Sequence, residues 1–551
     1  MPTILAAAIG DCIHVIGVRN FLSLAENEGF DTNFLGSRVS IEELTDEIRE
    51  TQPDVVGVSY RLSPETCRNL LEELKRRLTE EDLLDRVYLF GGTVPTGNAA
   101  REVGIFEQVF DGTWIRKDIV RYVRSLLGRQ SPDREDETHE DTLIGRIHAR
   151  SPRPLIRHHI GLSTLESTVE AARDLADAGV LDVVSIAPDQ TAQESFFRFW
   201  DQAGKSSGSG GAPVRSPEDF ERIYEATRRG NYPLCRCYSG TNDVLQWAEM
   251  LQRTIHNAWC AVPLTWYNEM DRRGPRRLAQ SIPEAQEVMR WHAERGIPVE
   301  VNEAHQWSLR RTSDAVAVAT AYLAAYNAKR MGVGDYVAQY MLNTPAGISA
   351  TKDLAKMLAK IELIESLHDE SFTSYREVRP GLASFPSDPD AARGQLAFST
   401  VLGLLLSPAI LHVVAYTEGQ FAAGAKEIIS SVRLTGQIIE QCLAGAPFAR
   451  ALEDCDVQEH KTWLLGEARH VLAGIEEIGA EYDDPFTDPR NLVRSIELGI
   501  LDAPDLQRSS IAAGVMTTSI VDGACVSVDS SGAKVSEEER VRAILRREGA
   551  A

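Results

Sequence analysis

Cysteine is scarce. The chain has 8 in 551 residues and no Cys-x-x-Cys; Cys235 and Cys237 are the one close pair. That excludes a disulfide framework or a zinc knuckle and suits free thiols in a reducing cytoplasm. Positive charge is also short. Lys and Arg number 58 against 81 Asp and Glu, a formal net charge of −23, and such an excess repels a phosphate backbone, so no nucleic-acid partner is expected. No run approaches the ~20 apolar residues that span a bilayer, so no membrane partner is expected either. The apolar opening Met1–Ile9 lacks a basic flank and is cut short by Gly10-Asp11, which makes it a buried first strand rather than a signal peptide. What is present is a 43% hydrophobic chain, enough to bury a core and to exclude whole-chain disorder. At roughly 100–200 residues per domain, its length calls for two or more.

Over the first 127 residues strand and helix patterns alternate. Strands are expected at Thr3–Ile9, Asp31–Leu35, Asp54–Tyr60, Arg86–Phe90 and Val109–Phe110, with helices at Val18–Gly29, Ile41–Thr51, Pro64–Thr79 and Ile119–Leu127. Apolar runs such as Val55-Val56-Gly57-Val58 are those of strands covered on both faces. The pattern predicts an α/β, doubly wound parallel sheet, on which ligands sit beyond the carboxyl ends of the strands. Glycines follow strands 1, 4 and 5 at that edge. Residues 128–150 are polar, acidic and aperiodic at their start (Gly128–Thr142) and are expected to be a flexible linker.

Alternation resumes over 151–450. Strands are expected to end near His158-His159, Ile186, Cys235-Arg236, Val262-Pro263, Val301-Asn302, Glu377 and Val414, separated by helices such as Ser163–Ala178 and Asp314–Arg330. This predicts a (β/α)8 barrel, with an open sheet as the alternative. Gly204–Gly211 is either an idle insertion or a mobile cover over a site. Residues 451–551 form a small carboxyl-terminal extension of acidic helices and a strand-forming stretch, Ile511–Val535.

The loop after the first strand reads Asp11-Cys12-Ile13-His14-Val15-Ile16-Gly17. Further on come Ser59-Tyr60-Arg61-Leu62, Gly91-Gly92 and Gly112-Thr113. This ordered set resembles the cobalamin-binding domain of B12-dependent mutases and methyltransferases, a flavodoxin-like fold. The resemblance implies that His14 ligates cobalt and that Gly17, Ser59, Leu62, Gly91, Gly92, Gly112 and Thr113 bind the cofactor, Ser59 and the glycines of strands 4 and 5 lying close to its nucleotide tail. In that family an Asp two residues before the His holds its ring. Cys12 stands there, and Asp11 is one residue further back. Either Asp11 reaches the ring or His14 has no carboxylate partner, which would alter electron donation to the metal.

The second part is similar, in islands, to the large subunit of adenosylcobalamin-dependent glutamate mutase. The islands are Arg236–Asp243, Pro263–Asn268, Ser384–Asp388 and Gly499–Pro504. That resemblance implies a radical carbon-skeleton rearrangement begun by a 5′-deoxyadenosyl radical, with Arg236 on a substrate carboxylate and Tyr267 in contact with substrate. His159 stands at a family arginine position, Arg215 at an asparagine, and the family's amine-binding glutamate falls near Ala261. Tyr416 and Gln420 occupy cofactor-facing positions where the family has Lys and Glu. Glu303, with Glu300, His305 and Gln306, follows a strand and is a candidate acid/base. Losing two arginines and the amine-binding acid points to a related carboxylic acid or amino acid rather than glutamate itself.

The expectation is a cytoplasmic adenosylcobalamin-dependent mutase acting on a small carboxylate or amino acid, working as a homodimer with a reactivating ATPase as a possible partner. A methylcobalamin-dependent methyltransferase and a non-catalytic cobalamin sensor or carrier are the alternatives.

Overall fold

The computed structural model describes residues 2–114, 116–127, 140–198, 210–445 and 449–549. Most of the expected linker, and all but the last two residues of Gly204–Gly211, lie outside them. The chain divides into two compact units, residues 1–138 and 139–551.

In the first unit five strands, β1 (Thr3–Ile9), β2 (Asp31–Val39), β3 (Val55–Tyr60), β4 (Val87–Gly92) and β5 (Gln108–Phe110), pair in the order β2-β1-β3-β4-β5. Every pairing is parallel. All six residues of β3 are buried, as expected of a central strand covered by helices on both faces. The connecting helices have clear stop and start signals. Ile41–Thr51 opens on a capping box in which Ser40 and Glu43 satisfy each other's backbone N–H. The doubly wound sheet puts the loops after β1, β3, β4 and β5 at one edge.

The second unit contains eight parallel strands, each followed by helix: β6 (Leu155–Ile160), β7 (Val183–Ile186), β8 (Leu234–Cys237), β9 (Cys260–Val262), β10 (Val299–Val301), β11 (Asp335–Leu342), β12 (Thr373–Pro380) and β13 (Ile410–His412). Their order, β8-β7-β6-β13-β12-β11-β10-β9, runs in sequence around a ring with one seam, between β8 and β9. Two backbone bonds cross the seam, Ala258 N–H to Cys235 O (2.9 Å) and Ser239 N–H to Ala261 O (3.1 Å). Between them the side chain of Asn257 replaces a rung: Oδ1 accepts from Cys237 N–H at 2.8 Å and Nδ2 donates to Cys237 O at 3.4 Å. The result is a nearly closed barrel of the (β/α)8 kind. Strand β11 is the one stave that sequence reading did not anticipate.

Because side chains alternate along a strand, Arg157 and His159 of β6 share the inner face, as do Glu377 and Arg379 of β12 and Gln339 and Met341 of β11. Trp247, Trp259, Trp266 and Trp307 are fully buried, and Trp259 stacks on Arg157 and Arg236.

The extension packs on the barrel. Two short strands, β14 (Thr518–Val521) and β15 (Ala524–Ser527), form an antiparallel hairpin. Its turn, Asp522-Gly523, has positive φ at both residues, the geometry that lets a two-residue loop follow strand twist. Cys525 N–H donates to Asp314 Oδ2 (2.9 Å), and Glu537 Oε1 accepts from Ser313 Oγ (2.7 Å) and Ser527 Oγ (2.8 Å). These bonds pin the extension to the start of helix Asp314–Arg330. Asp502, fully buried, accepts the N–H groups of Gly514, Val515 and Met516 at 2.8–3.0 Å.

Candidate functional sites

In the first unit the loop after β1 begins at Gly10, whose φ is +63°; a Cβ there would lie 2.6 Å from Leu70 Cδ1. The tight turn presents His14 to solvent while Cys12 is fully buried beneath it. His14 Nδ1 lies 3.9 Å from Cys12 Sγ. The Asp11 carboxylate is elsewhere: Oδ1 accepts from the Tyr60 hydroxyl at 3.0 Å. Burial, and then that bond, push the Tyr60 phenol up to about 12. Of the two arrangements the sequence left open, the structure therefore has a thiol beside His14 and the acid on a tyrosine.

The rest of the edge is open where a ligand would need room. A Cβ added at Gly17, Gly91 or Gly112 would meet nothing within 4 Å. Gly92 differs: its Cβ would lie 2.4 Å from Thr96 Oγ1 and 2.7 Å from Tyr60 O, so this glycine is required by the fold itself. Ser59 is buried and its hydroxyl has no protein partner among the described residues. Thr113 donates its hydroxyl to Asp111 Oδ1 (2.6 Å), and that bond together with Arg101 holds the Asp111 carboxyl down to about 2. Leu62 is 39% exposed, and so are residues the sequence reading did not single out: Ile13 (63%), Ile16 (74%) and Val94 (47%). All lie on loops or first helical turns just beyond β1, β3 and β4. Exposed apolar groups gathered at one edge mark a binding surface.

In the second unit a cavity of about 230 Å³ opens at the carboxyl ends of the barrel strands. Its wall includes Arg157, His159, Arg236, Tyr267, Glu300 and Arg379. Arg236 Nη2 lies 2.6 Å from Glu300 Oε2, which also accepts from Trp259 Nε1 (2.9 Å); Glu300 Oε1 accepts from Gln339 Nε2 (2.7 Å). Arg157 donates both Nε (2.7 Å) and Nη2 to Glu377 Oε1, and Nη1 to Ser185 Oγ (3.0 Å). Burial lowers Arg157 to about 10, leaving it a cation near neutrality. Burial likewise raises Glu377, opposed by the Arg157 charge.

His159 Nε2 faces Arg157 Nη1 at 3.3 Å and Arg236 Nη1 at 3.4 Å. Guanidinium groups only donate, so Nε2 is an acceptor and the ring is neutral. Burial, then the two arginines, hold its pKa well below the usual value. Thus His159 orients two arginines and carries no proton toward them. Tyr267 has a left-handed backbone, φ +63°, a conformation that a non-glycine residue holds only when its surroundings enforce it. Its hydroxyl has no hydrogen bond among the described residues. Arg379 donates Nε to Pro380 O (3.3 Å) and makes no ion pair among the described residues.

His305 and Gln306 also line this wall, whereas Glu303, Arg215, Tyr416 and Gln420 lie outside it. Glu303 is buried and takes hydrogen bonds from Thr265 N–H (3.3 Å), Thr265 Oγ1 and Trp307 Nε1 (2.9 Å); burial raises its carboxyl to about 7. Arg215 forms a two-point ion pair with Asp189, at 2.9 and 2.6 Å. Tyr416 lies under the Arg393 guanidinium, 3.9 Å from ring centre to Cζ, and Gln420 is exposed. The sequence reading overlooked Arg157, Arg379 and Glu377. The signal was in the strand period: Arg157-x-His159 and Glu377-x-Arg379 each place two polar residues on one inner face.

Residues 2–113 match the family model for the B12 binding domain. The first unit is thus a cobalamin-binding domain, and the residues at its edge fit that group: three glycines with open space above them, an apolar collar, a serine hydroxyl with no protein partner among the described residues and an exposed imidazole. Of these, His14 would be the residue to hold the metal. Among solved structures, the chain is similar to a cobalamin-binding protein from Desulfitobacterium hafniense DCB-2, with 25% identity, covering 23% of this chain and 58% of that one, at a TM-score of 0.21. It is also similar to the cobalamin-dependent S-adenosylmethionine radical enzyme OxsB, with 11% identity, covering 80% of this chain and 56% of that one, at a TM-score of 0.19. The chain thus spans little more than half the length of either. No helix among the described residues is long and apolar enough to cross a membrane.

Proposed function

We propose that the protein is an adenosylcobalamin-dependent carbon-skeleton mutase acting on a small carboxylic acid or amino acid. The observation that supports this reading is the barrel cavity, where Arg157, Arg236 and Arg379 converge around His159 and Tyr267. Planar guanidinium groups bind carboxylates through paired, charge-assisted hydrogen bonds. When bound, adenosylcobalamin supplies an organic radical able to take a hydrogen atom from substrate.

The chain's own residues would bind, orient and shield. His159 accepts from Arg157 and Arg236 and fixes their planes. Glu300 and Glu377 keep those two guanidiniums in place. The Tyr267 hydroxyl is free to reach a substrate oxygen. Leu309, Met341 and Leu382 close the wall with apolar surface, which limits the water that would quench a reactive intermediate.

The test is reconstitution of the full chain, without oxygen, with adenosylcobalamin and a panel of small acids and amino acids. A substrate-dependent organic radical in the paramagnetic resonance spectrum, together with an isomerised product, is the expected result. Tight cofactor binding with neither signal nor product across the panel would favour a carrier or sensor instead.

A further inference from the structure

We infer that the barrel cavity takes a small aliphatic monocarboxylate, anchored on Arg379, and rejects dicarboxylates and α-amino acids. The inference narrows the substrate class of the reading above and rests on the barrel serving as its substrate site.

Charge in the wall is already largely matched. Of the three arginines in the wall, two have their own buried carboxylate: Arg236 has Glu300 and Arg157 has Glu377, and all four side chains are at most 2% exposed. Among the described residues Arg379 has only a backbone carbonyl. The other nearby acid, Glu418, is outside the wall and engaged by His158 Nε2 at 2.8 Å and by Ala415 N–H at 3.2 Å. His159 is neutral, as its two guanidinium neighbours require. The cavity therefore has a place for one carboxylate. A second would meet no uncompensated cation among the described residues, since Arg157 and Arg236 are each already balanced by a buried glutamate.

The same reasoning excludes an ammonium group. Among the described residues Glu300 is the one acid in the wall, and both its oxygens are already taken, by Arg236 and Trp259 on one side and Gln339 on the other. Ala261, beside Glu300 in the β9–β10 register, offers no acid. Size agrees: about 230 Å³ is below the roughly 300 Å³ at which pockets for larger ligands begin. Leu309, Met341 and Leu382 suit an aliphatic tail.

The test is binding to the full chain without cobalamin, by calorimetry and by shift of the melting temperature, with butanoate, 2-methylpropanoate, succinate and glutamate as probes. Both monocarboxylates are expected to bind saturably and at least tenfold more tightly than succinate or glutamate. Arg379→Gln should abolish that binding, and Arg379→Lys, which keeps the charge but loses the planar fork, should weaken it and keep the preference. Succinate or glutamate binding as tightly as the monocarboxylates, no binding by any probe, or unchanged affinity in a folded Arg379→Gln protein would each overturn the inference. Since cobalamin is absent, binding with the expected preference would stand even if the reconstituted protein showed no rearrangement, which would count against the mutase reading alone.

Discussion

Arg236 and Glu300 face each other across the barrel interior, 2.6 Å from Nη2 to Oε2, with side chains 2% and 0% exposed. They come from β8 and β10, and Trp259 donates to the same glutamate oxygen. Removing one partner of a buried pair leaves the other charge stranded, at a cost of about 3–5 kcal/mol. Glu300→Ala should lower the barrel's denaturation midpoint accordingly. The double variant Glu300→Ala/Arg236→Met should recover part of the loss. If Glu300→Ala cost less than about 1 kcal/mol, the pair would behave as a solvent-exposed one.

Two adjacent glycines should separate cofactor binding from folding. Gly91→Val places a side chain in open space and should leave the melting of the first unit nearly unchanged while lowering cobalamin affinity at least tenfold, read by absorbance after dialysis. Gly92→Ala drives a methyl against Thr96, Phe90 and Tyr60, and should lower stability by about 1–3 kcal/mol, the range for overpacking. Equal cobalamin affinity in Gly91→Val and wild type would mean the open space at β4 is not where the cofactor lies.

Glu303 gives a pH signature. Burial raises its carboxyl from 4.5 to about 7. Between those values the folded protein holds a proton that the unfolded chain has released. The contribution to stability is full below 4.5 and is lost as pH rises through about 7, on the order of 2–4 kcal/mol at 1.36 kcal/mol per unit. Melting temperatures compared at about pH 5 and about pH 8 should differ less in Glu303→Gln than in wild type. An identical difference in both proteins would show that other groups set the slope.

Asp502 should be a keystone of the carboxyl-terminal extension. Its carboxylate receives three consecutive N–H groups, from Gly514, Val515 and Met516. Bonds to a charged acceptor contribute roughly 1.5–3 kcal/mol each. Asp502→Asn, which keeps one acceptor oxygen but turns a donor toward those N–H groups, should cost at least about 2 kcal/mol and should speed proteolysis of the hairpin β14–β15. Wild-type resistance to protease in the variant would count against this role.

How much of this was legible in the sequence depends on which physical signal carried it. Strand β1 and helices Ile41–Thr51 and Asp314–Arg330 fall where periodicity and capping placed them, because buried runs and Ser/Glu boxes are local. Strand β11 was missed since Asp335-Tyr-Val-Ala-Gln339 follows a 17-residue helix with only four residues between them and carries a polar residue, Gln339, that faces a lined cavity, not solvent. Arg236, Tyr267 and His159 do share that cavity. Arg379 and Arg157 were overlooked because their meaning lies in who faces them across the barrel, a relationship between strands that no local pattern records. The position of Asp11 was undecidable for the same reason: its partner, Tyr60, is 49 residues away.

The Asn257 amide that completes the rung between β8 and β9 has a consequence for the wall that bears Arg236. Elsewhere the staves are zipped by backbone pairing alone; here a side chain stands between two backbone bonds. A guest that needs more room than the resting cavity offers would spread the cylinder most cheaply at this join, where a side chain takes the place of a backbone rung.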